Sequence, residues 1–208
     1  MRRVARTAAK ATLALALASA AQGEVLIDTH FASNTAPVSV FDHKGTEQRV
    51  TGLLPKGWQD NSAWARVWAS YTPMEDGGVR FLRVDVSRAE ARRTCLCFVP
   101  LPDVRDEAHY QLHLRLRSPG RMLVTLSVRY VGVPYTALWS ESLYPSADRW
   151  EDRTFVFRVG ANPQPIGFWI YLDGVGQTDL HSLRLVSLDR EEMFAAVRAR
   201  YPRTTPRN

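Results

Sequence analysis

The chain has 208 residues, 45% of them hydrophobic and 23% charged, a balance that suits one folded domain and excludes a disordered or collagen-like chain. The formal net charge is +6, but Arg2, Arg3, Arg6 and Lys10 supply four of those charges at the very start. Without residues 1–20 the charge falls to +2, and arginine outnumbers lysine 24 to 3 along the whole chain, so no local basic patch points to nucleic acid.

Those first residues read as a secretory signal peptide: a basic region, a small apolar run from Ala11 to Leu17, and Ala18-Ser19-Ala20 as an A-x-A cleavage site, with cleavage near 20–23. The apolar run is too short to span a bilayer. The expected location is therefore outside the cytoplasm, periplasmic or secreted, with no membrane span.

From there the pattern is one of short strands. Glu24 to Phe31 gives the first, Ser33 to Pro37 is turn-rich, and Val38 to Phe41 is a further extended run. Residues 53–71 hold three of the six tryptophans; Pro55, Gly57, Asp60 and Asn61 mark the first half as loop, while the second is either extended or a short helix. Gly77-Gly78 turns into a strand over 79–87, and another follows over 94–99. Tyr110 to Arg117 alternates apolar and polar residues, and so does Met122 to Tyr130; Ser118-Pro119-Gly120 between them predicts an antiparallel hairpin. Two strands follow over 135–143 and 150–159, then Ile166 to Asp173 and a last one over 179–188. Asp189 with Glu192 three residues on is a helix start, which predicts a short helix over 193–201 and a frayed tail. The expected fold class is all-β: a two-sheet antiparallel β-sandwich of jelly-roll type over 24–190, with a short helix and tail over 191–208.

Catalytic signatures are missing. There is no G-x-S-x-G, no H-E-x-x-H and no phosphate-cradling glycine loop. Cys95 and Cys97, one residue apart on a strand, share a face and would bridge only with strain, so buried thiols fit better than a redox or zinc site.

The clearest functional signal lies in Ile166 to Asp173. Alternation puts Ile166, Phe168, Ile170 and Leu172 on one face and Trp169, Tyr171 and Asp173 on the other. If the hairpin strands share that sheet, His113, Arg115, Ser127 and Arg129 join the second face. Rings stack on the C–H faces of a pyranose while arginines hydrogen-bond its hydroxyls, so this is a candidate platform for a poly- or oligosaccharide. The alternative is that the loop over 53–64 covers both rings. Tyr135 and Trp139 in GVPYTALWSE are a second candidate pair, whereas Trp150, opening a strand with a regular core face, reads as packing.

LLPKGWQDNSAWA, YQLHLRLRS, VGVPY, PSADRWEDRTFVF and IGFWIYLDGVGQTDLHSLRLVSL, taken together, resemble the galactose-binding-like β-sandwich modules appended to bacterial glycoside hydrolases, closest to carbohydrate-binding modules of the family 4, 9 and 22 group. The resemblance spans most of residues 24–190. It implies a noncatalytic glycan binder in which Trp169, Tyr171, Tyr135 and Trp139 contact the sugar, beside the Arg115 and Arg129 that the alternation supplies, with no cofactor beyond a structural calcium held by Asp28 and Asp179. His181 stands where the family usually has an aspartate. A shallow open site of this kind binds at about −4 to −6 kcal/mol. An envelope protein is the partner expected if the sandwich has lost its glycan site.

Overall fold

In the computed structural model, residues 23–40, 49–62, 66–90, 93–101, 104–105, 108–160 and 165–200 are described; the segment expected as a signal peptide, Trp64 and the last eight residues lie outside them. Among the described residues thirteen strands and one helix follow in order: β1 Val25–His30, β2 Thr35–Pro37, β3 Arg49–Pro55, β4 Trp58–Asp60, β5 Val67–Asp76, β6 Val79–Ala89, β7 Arg93–Phe98, β8 His109–Arg117, β9 Leu123–Tyr130, β10 Ala137–Leu143, β11 Glu151–Arg158, β12 Ile166–Asp173, β13 Gly176–Leu188 and α1 Arg190–Arg200.

Two sheets stack as a sandwich. The larger runs β11-β8-β13-β6-β5-β3-β2, with β1 paired to the second half of β13; the smaller runs β10-β9-β12-β7-β4. All ladders are antiparallel except β3 on β5, which is parallel. The core forms where inner faces meet: Ile166, Phe168, Ile170 and Leu172 of β12 lie in one cluster with Leu112, Leu114 and Leu116 of β8 and Leu183 and Leu185 of β13. Each such side chain contributes about 1.5–3 kcal/mol by leaving water. The alternation read from the sequence therefore assigns the inner face of β12 correctly.

Several local expectations change. The run Ser33 to Pro37, expected as a turn, contains β2, and the first half of 53–71, expected as loop, contains β4. Trp58 of β4 turns inward, 3% exposed, against Phe31, Phe98 and Phe168. The second half is extended as β5.

The largest correction concerns β8 and β9, which do not form a hairpin. β8 pairs with β11 and β13 in the larger sheet, while β9 pairs with β10 and β12 in the smaller. Their connection is an arch between sheets. The Ser118 hydroxyl accepts from Met122 N at 2.8 Å and donates to Gln177 O at 3.1 Å, and Gly120 packs so closely that a Cβ there would lie 2.3 Å from Gln177 N. A side chain at Gly120 would push the arch off β13, which is why glycine stands there.

At the C-terminus the capping signal is realised. Glu192 N donates to Asp189 Oδ1 and Asp189 N to Glu192 Oε2, both at 2.8 Å, and α1 begins at Arg190. No helix among the described residues is long and apolar enough to cross a membrane.

Candidate functional site

The outer face of the smaller sheet carries the sequence-predicted rings. β12 is its central strand, with β9 on one side and β7 on the other, so Trp169 lies level with Ser127 and Cys97, and Tyr171 with Thr125 and Cys95. On the edge strand β10, Ser140 is level with Ser127 and Ser142 with Thr125. Rings, hydroxyls and a thiol thus share one surface. Ser140 and Ser142 were not singled out from sequence, although the alternation in ALWSESL places them here once β10 is known to pair with β9.

Trp169 is not an open platform. It is 1% exposed and Tyr171 8%, in a small cluster with Cys97, Val99 and Val131. The tryptophan-rich loop does not provide this cover through Trp58, which faces the core. The indole lies along its own strand over Gly167, where a Cβ would come within 2.8 Å of Trp169 Cη2 and 2.2 Å of Val99 Cγ1. Gly167→Ala is accordingly expected to cost about 1–3 kcal/mol of stability and to displace the indole, read as a lowered melting midpoint with a red-shifted tryptophan emission. An unchanged emission and midpoint would contradict this placement.

Arg129 of β9 joins the rings. Its Cζ stands 4.9 Å from the Trp169 ring centre and 5.0 Å from that of Tyr135, and Nη1 donates to the Tyr171 hydroxyl at 2.5 Å. A guanidinium over an aromatic face contributes about 0.5–2 kcal/mol, so the three rings and one cation hold each other in place. Tyr135 sits in the β9–β10 turn, Gly132 to Tyr135, closed by Tyr135 N donating to Gly132 O at 2.7 Å; its φ is +56°, a left-handed conformation that is costly for a ring-bearing residue. It keeps 38% of its surface exposed. The ring that reaches solvent is therefore Tyr135, with Trp169 beneath the guanidinium that holds it.

The other predicted residues separate. Trp139 faces inward, stacked on Phe157 at 4.1 Å and 11°, so it closes the core edge instead of standing beside Tyr135. Its register partner Val128 is a core residue, which fixes that direction. Arg115 lies on β8 in the larger sheet and so cannot share a surface with Arg129; the loss of the hairpin is the reason. His113 goes with it.

The residues suggested for calcium do not fit one. Asp28 is level with Arg184 on the outer face of the larger sheet, whereas Asp179 stands further along β13, level with Arg83 and Arg117. Both Asp179 oxygens are already engaged: Oδ1 by Arg83 Nε at 2.8 Å, Oδ2 by Arg83 Nη2 at 2.9 Å and by Arg117 Nε at 2.8 Å. Two guanidinium groups occupy the space a cation would need. No group of three His, Cys, Asp or Glu side chains suited to a metal occurs among the described residues.

Cys97 is a buried free thiol. Burial pushes its pKa up to about 12, only partly offset by the Asn61 hydrogen bond and the Arg129 charge, with Asp60 pushing the same way as burial. At neutral pH it stays protonated and is a poor nucleophile or metal ligand.

The architecture is shared with known structures. The CBM22-1 xylan-binding domain of Paenibacillus barcinonensis Xyn10C superimposes with a TM-score of 0.51 at 9% identity, over 82% of this chain and 99% of that one. The second N-terminal cellulose-binding domain of Cellulomonas fimi β-1,4-glucanase C gives 0.50 at 14%, over 82% and 99%. The chain has the β-sandwich fold of carbohydrate-binding modules. Against the CBM22-1–GH10 chain of Clostridium thermocellum xylanase 10B, complexed with xylohexaose, the TM-score is 0.52 at 12% identity, with 81% of this chain covered but only 29% of the xylanase. Identities this low establish the fold alone. No protein-family model matches the chain, and no curated protein sequence matches it.

Proposed function

We propose that the protein is an exported, noncatalytic carbohydrate-binding module that takes a poly- or oligosaccharide on the outer face of its smaller sheet. The observation that carries this reading is Arg129, shared between the buried Trp169 and the exposed Tyr135 and bonded to the Tyr171 hydroxyl. A fixed ring that reaches solvent beside a fixed guanidinium suits a pyranose, whose C–H face stacks while its hydroxyls bond the cation. The exposed Ser140 and Ser142 add hydroxyls along the same surface, while Ser127 and Thr125 beneath them are buried and bonded within the sheet, to Trp139 O at 3.2 Å and Ser142 Oγ at 2.9 Å. Stacking thus shifts from Trp169, as the sequence suggested, to Tyr135, with Trp169 and Tyr171 as its support.

Noncatalytic action is supported by the groups around Tyr135, which are rings, hydroxyls and a guanidinium, with Asp173 the one carboxylate that the outward row of β12 adds among the described residues. Such groups bind a sugar, whereas glycoside hydrolysis uses a pair of carboxylates. Export is supported by the basic and apolar pattern of residues 1–20.

In native gels containing soluble β-glucan or xylan, Tyr135→Ala is expected to lower retardation about tenfold while the melting midpoint moves little, since it removes the stacking ring but not a core residue. Retardation equal to the parent on every retarding polysaccharide would remove Tyr135 from the site and, with it, this reading.

A further inference from the structure

A second constellation lies on the opposite side of the molecule, on the outer face of the larger sheet. There β1, β13, β8 and β11 run side by side, and their outward residues fall in rows: Asp28, Arg184, His113 and Thr154 in one, and His30, Ser182, Arg115 and Asp152 in the next. Arg115 and Arg184 are diagonal neighbours across β8 and β13, close enough for both forks to reach one ligand.

Each arginine keeps one donor without a hydrogen-bond partner among the described residues. The Nε atoms of both are shielded from water and have no hydrogen-bond acceptor. Arg184, with 40% of its side chain exposed, forms an ion pair with Asp28, whose Oδ2 stands 3.9 Å from Nε, too far for a hydrogen bond. A buried donor on a charged group left without an acceptor is costly, so such an atom points to a ligand. Beside Arg184 and His113 opens a pocket of about 150 Å³, also lined by Gln111, Val186 and Glu192. His113 Nδ1 is 3.1 Å from Thr154 Oγ1, which fixes the imidazole at the pocket edge.

We infer that this face is an anion subsite, separate from the glycan face, in which Arg184 and Arg115 take the carboxylate of an acidic sugar residue. A guanidinium fork matches a planar carboxylate with two parallel bonds. Gln111, Thr154 and Ser182 supply the amide and hydroxyl groups that a sugar ring needs nearby. Asp28 and Asp152 flank the pair and Glu192 lines the pocket, its oxygens already accepting from Gly23 N and Asp189 N, so the face is of mixed charge; it suits a single carboxylate on a hydroxylated ring and disfavours a densely charged chain such as nucleic acid.

The test is a titration of the 15N-labelled protein with trigalacturonate, with a neutral oligosaccharide of equal length and with acetate. Trigalacturonate is expected to shift the resonances of His113, Ser182, Arg184 and Thr154, and Arg115→Ala and Arg184→Ala each to weaken its binding about tenfold. Should Arg184→Ala unfold, Arg184→Lys keeps the charge without the fork and is expected to bind more weakly than the parent. Shifts confined to residues 125–142, equal binding of the neutral sugar, or equal binding of acetate would each overturn the proposal. The shift map also separates it from the glycan-face reading, because the two faces report on different residues.

Discussion

Asp179→Ala is expected to destabilise the protein by about 3–5 kcal/mol, because it takes the buried carboxylate from two largely desolvated arginines and leaves Arg117 only the exposed Asp76, 3.2 Å from its Nη2. Asp179 is fully buried, and the Arg83 and Arg117 side chains are 25% and 15% exposed. Its carboxylate spans β6, β13 and β8, three neighbouring strands of the larger sheet. The guanidinium groups are further fixed by rings: Arg117 Cζ lies 4.7 Å from the Trp150 centre and 5.2 Å from Phe81, with Arg83 5.5 Å from Phe81. Trp150 is thus a packing residue, as its place before β11 suggested. For a chain of this size the loss corresponds to a drop of about 10 °C or more in melting midpoint. Replacing all three groups by apolar residues, Asp179→Leu with Arg83→Met and Arg117→Met, should recover much of the loss, since no buried charge is then left unpaired and Asp76, which loses Arg117, is 66% exposed to water. A single Asp179→Ala variant that melts with the parent would contradict the clamp.

The second large effect belongs to Asp60, which bridges the two sheets from the inside. It sits on β4 of the smaller sheet, fully buried, and its Oδ2 accepts from the hydroxyl of Tyr71 on β5 of the larger at 2.5 Å and from Ser62 Oγ at 3.0 Å; Oδ1 accepts from Ser62 N at 2.8 Å. Asp60→Leu removes these three bonds from a dry site and is expected to cost about 3 kcal/mol. Desolvation raises the Asp60 pKa above its ordinary 3.8, against the opposing pull of those hydrogen bonds. The folded state therefore holds this proton more tightly than the unfolded chain does. The contribution of Asp60 to stability is greatest below pH 3.8, declines as pH rises from there through the raised folded value, and stays reduced above it. Asp60→Asn carries no such titration, so the stability difference between parent and variant should shift in favour of the variant as pH rises through that window. Denaturant unfolding at a series of pH values reads this directly, and a difference independent of pH would contradict it.

What the sequence made legible was local. Alternation within β12 assigned Ile166, Phe168, Ile170 and Leu172 to the core because the side-chain period of a strand needs no knowledge of its neighbours. Asp189 and Glu192 announced α1 for the same reason. Pairing is not local. Ser118-Pro119-Gly120 suits a hairpin or an arch equally, and the contact that selects the arch, Gly120 against Gln177, joins segments far apart in the chain. That one choice carried Arg115 and His113 to the other side of the molecule and ended their association with Arg129.

Depth was hidden too. Parity put Trp169 and Tyr171 on the outer face, and they are there, but parity cannot say that a ring will lie flat over a glycine beneath an arginine. Gly167 was the available signal, since a glycine within a strand often marks a close approach by another group. Trp139 shows the converse: it follows Tyr135 by four residues, yet the register shift between Ala137 and Trp139 turns it into the core.

A glycan held on the outer face of the smaller sheet at Tyr135 and Arg129 would be located by mapping backbone amide shifts during titration with a neutral xylo- or cello-oligosaccharide. Saturable shifts are expected to cluster at Arg129, Tyr135, Ser140 and Tyr171, and to need about tenfold more ligand in Tyr135→Ala. Saturable shifts that leave those residues unmoved and gather elsewhere, or no shift with any neutral oligosaccharide at millimolar concentration, would contradict it.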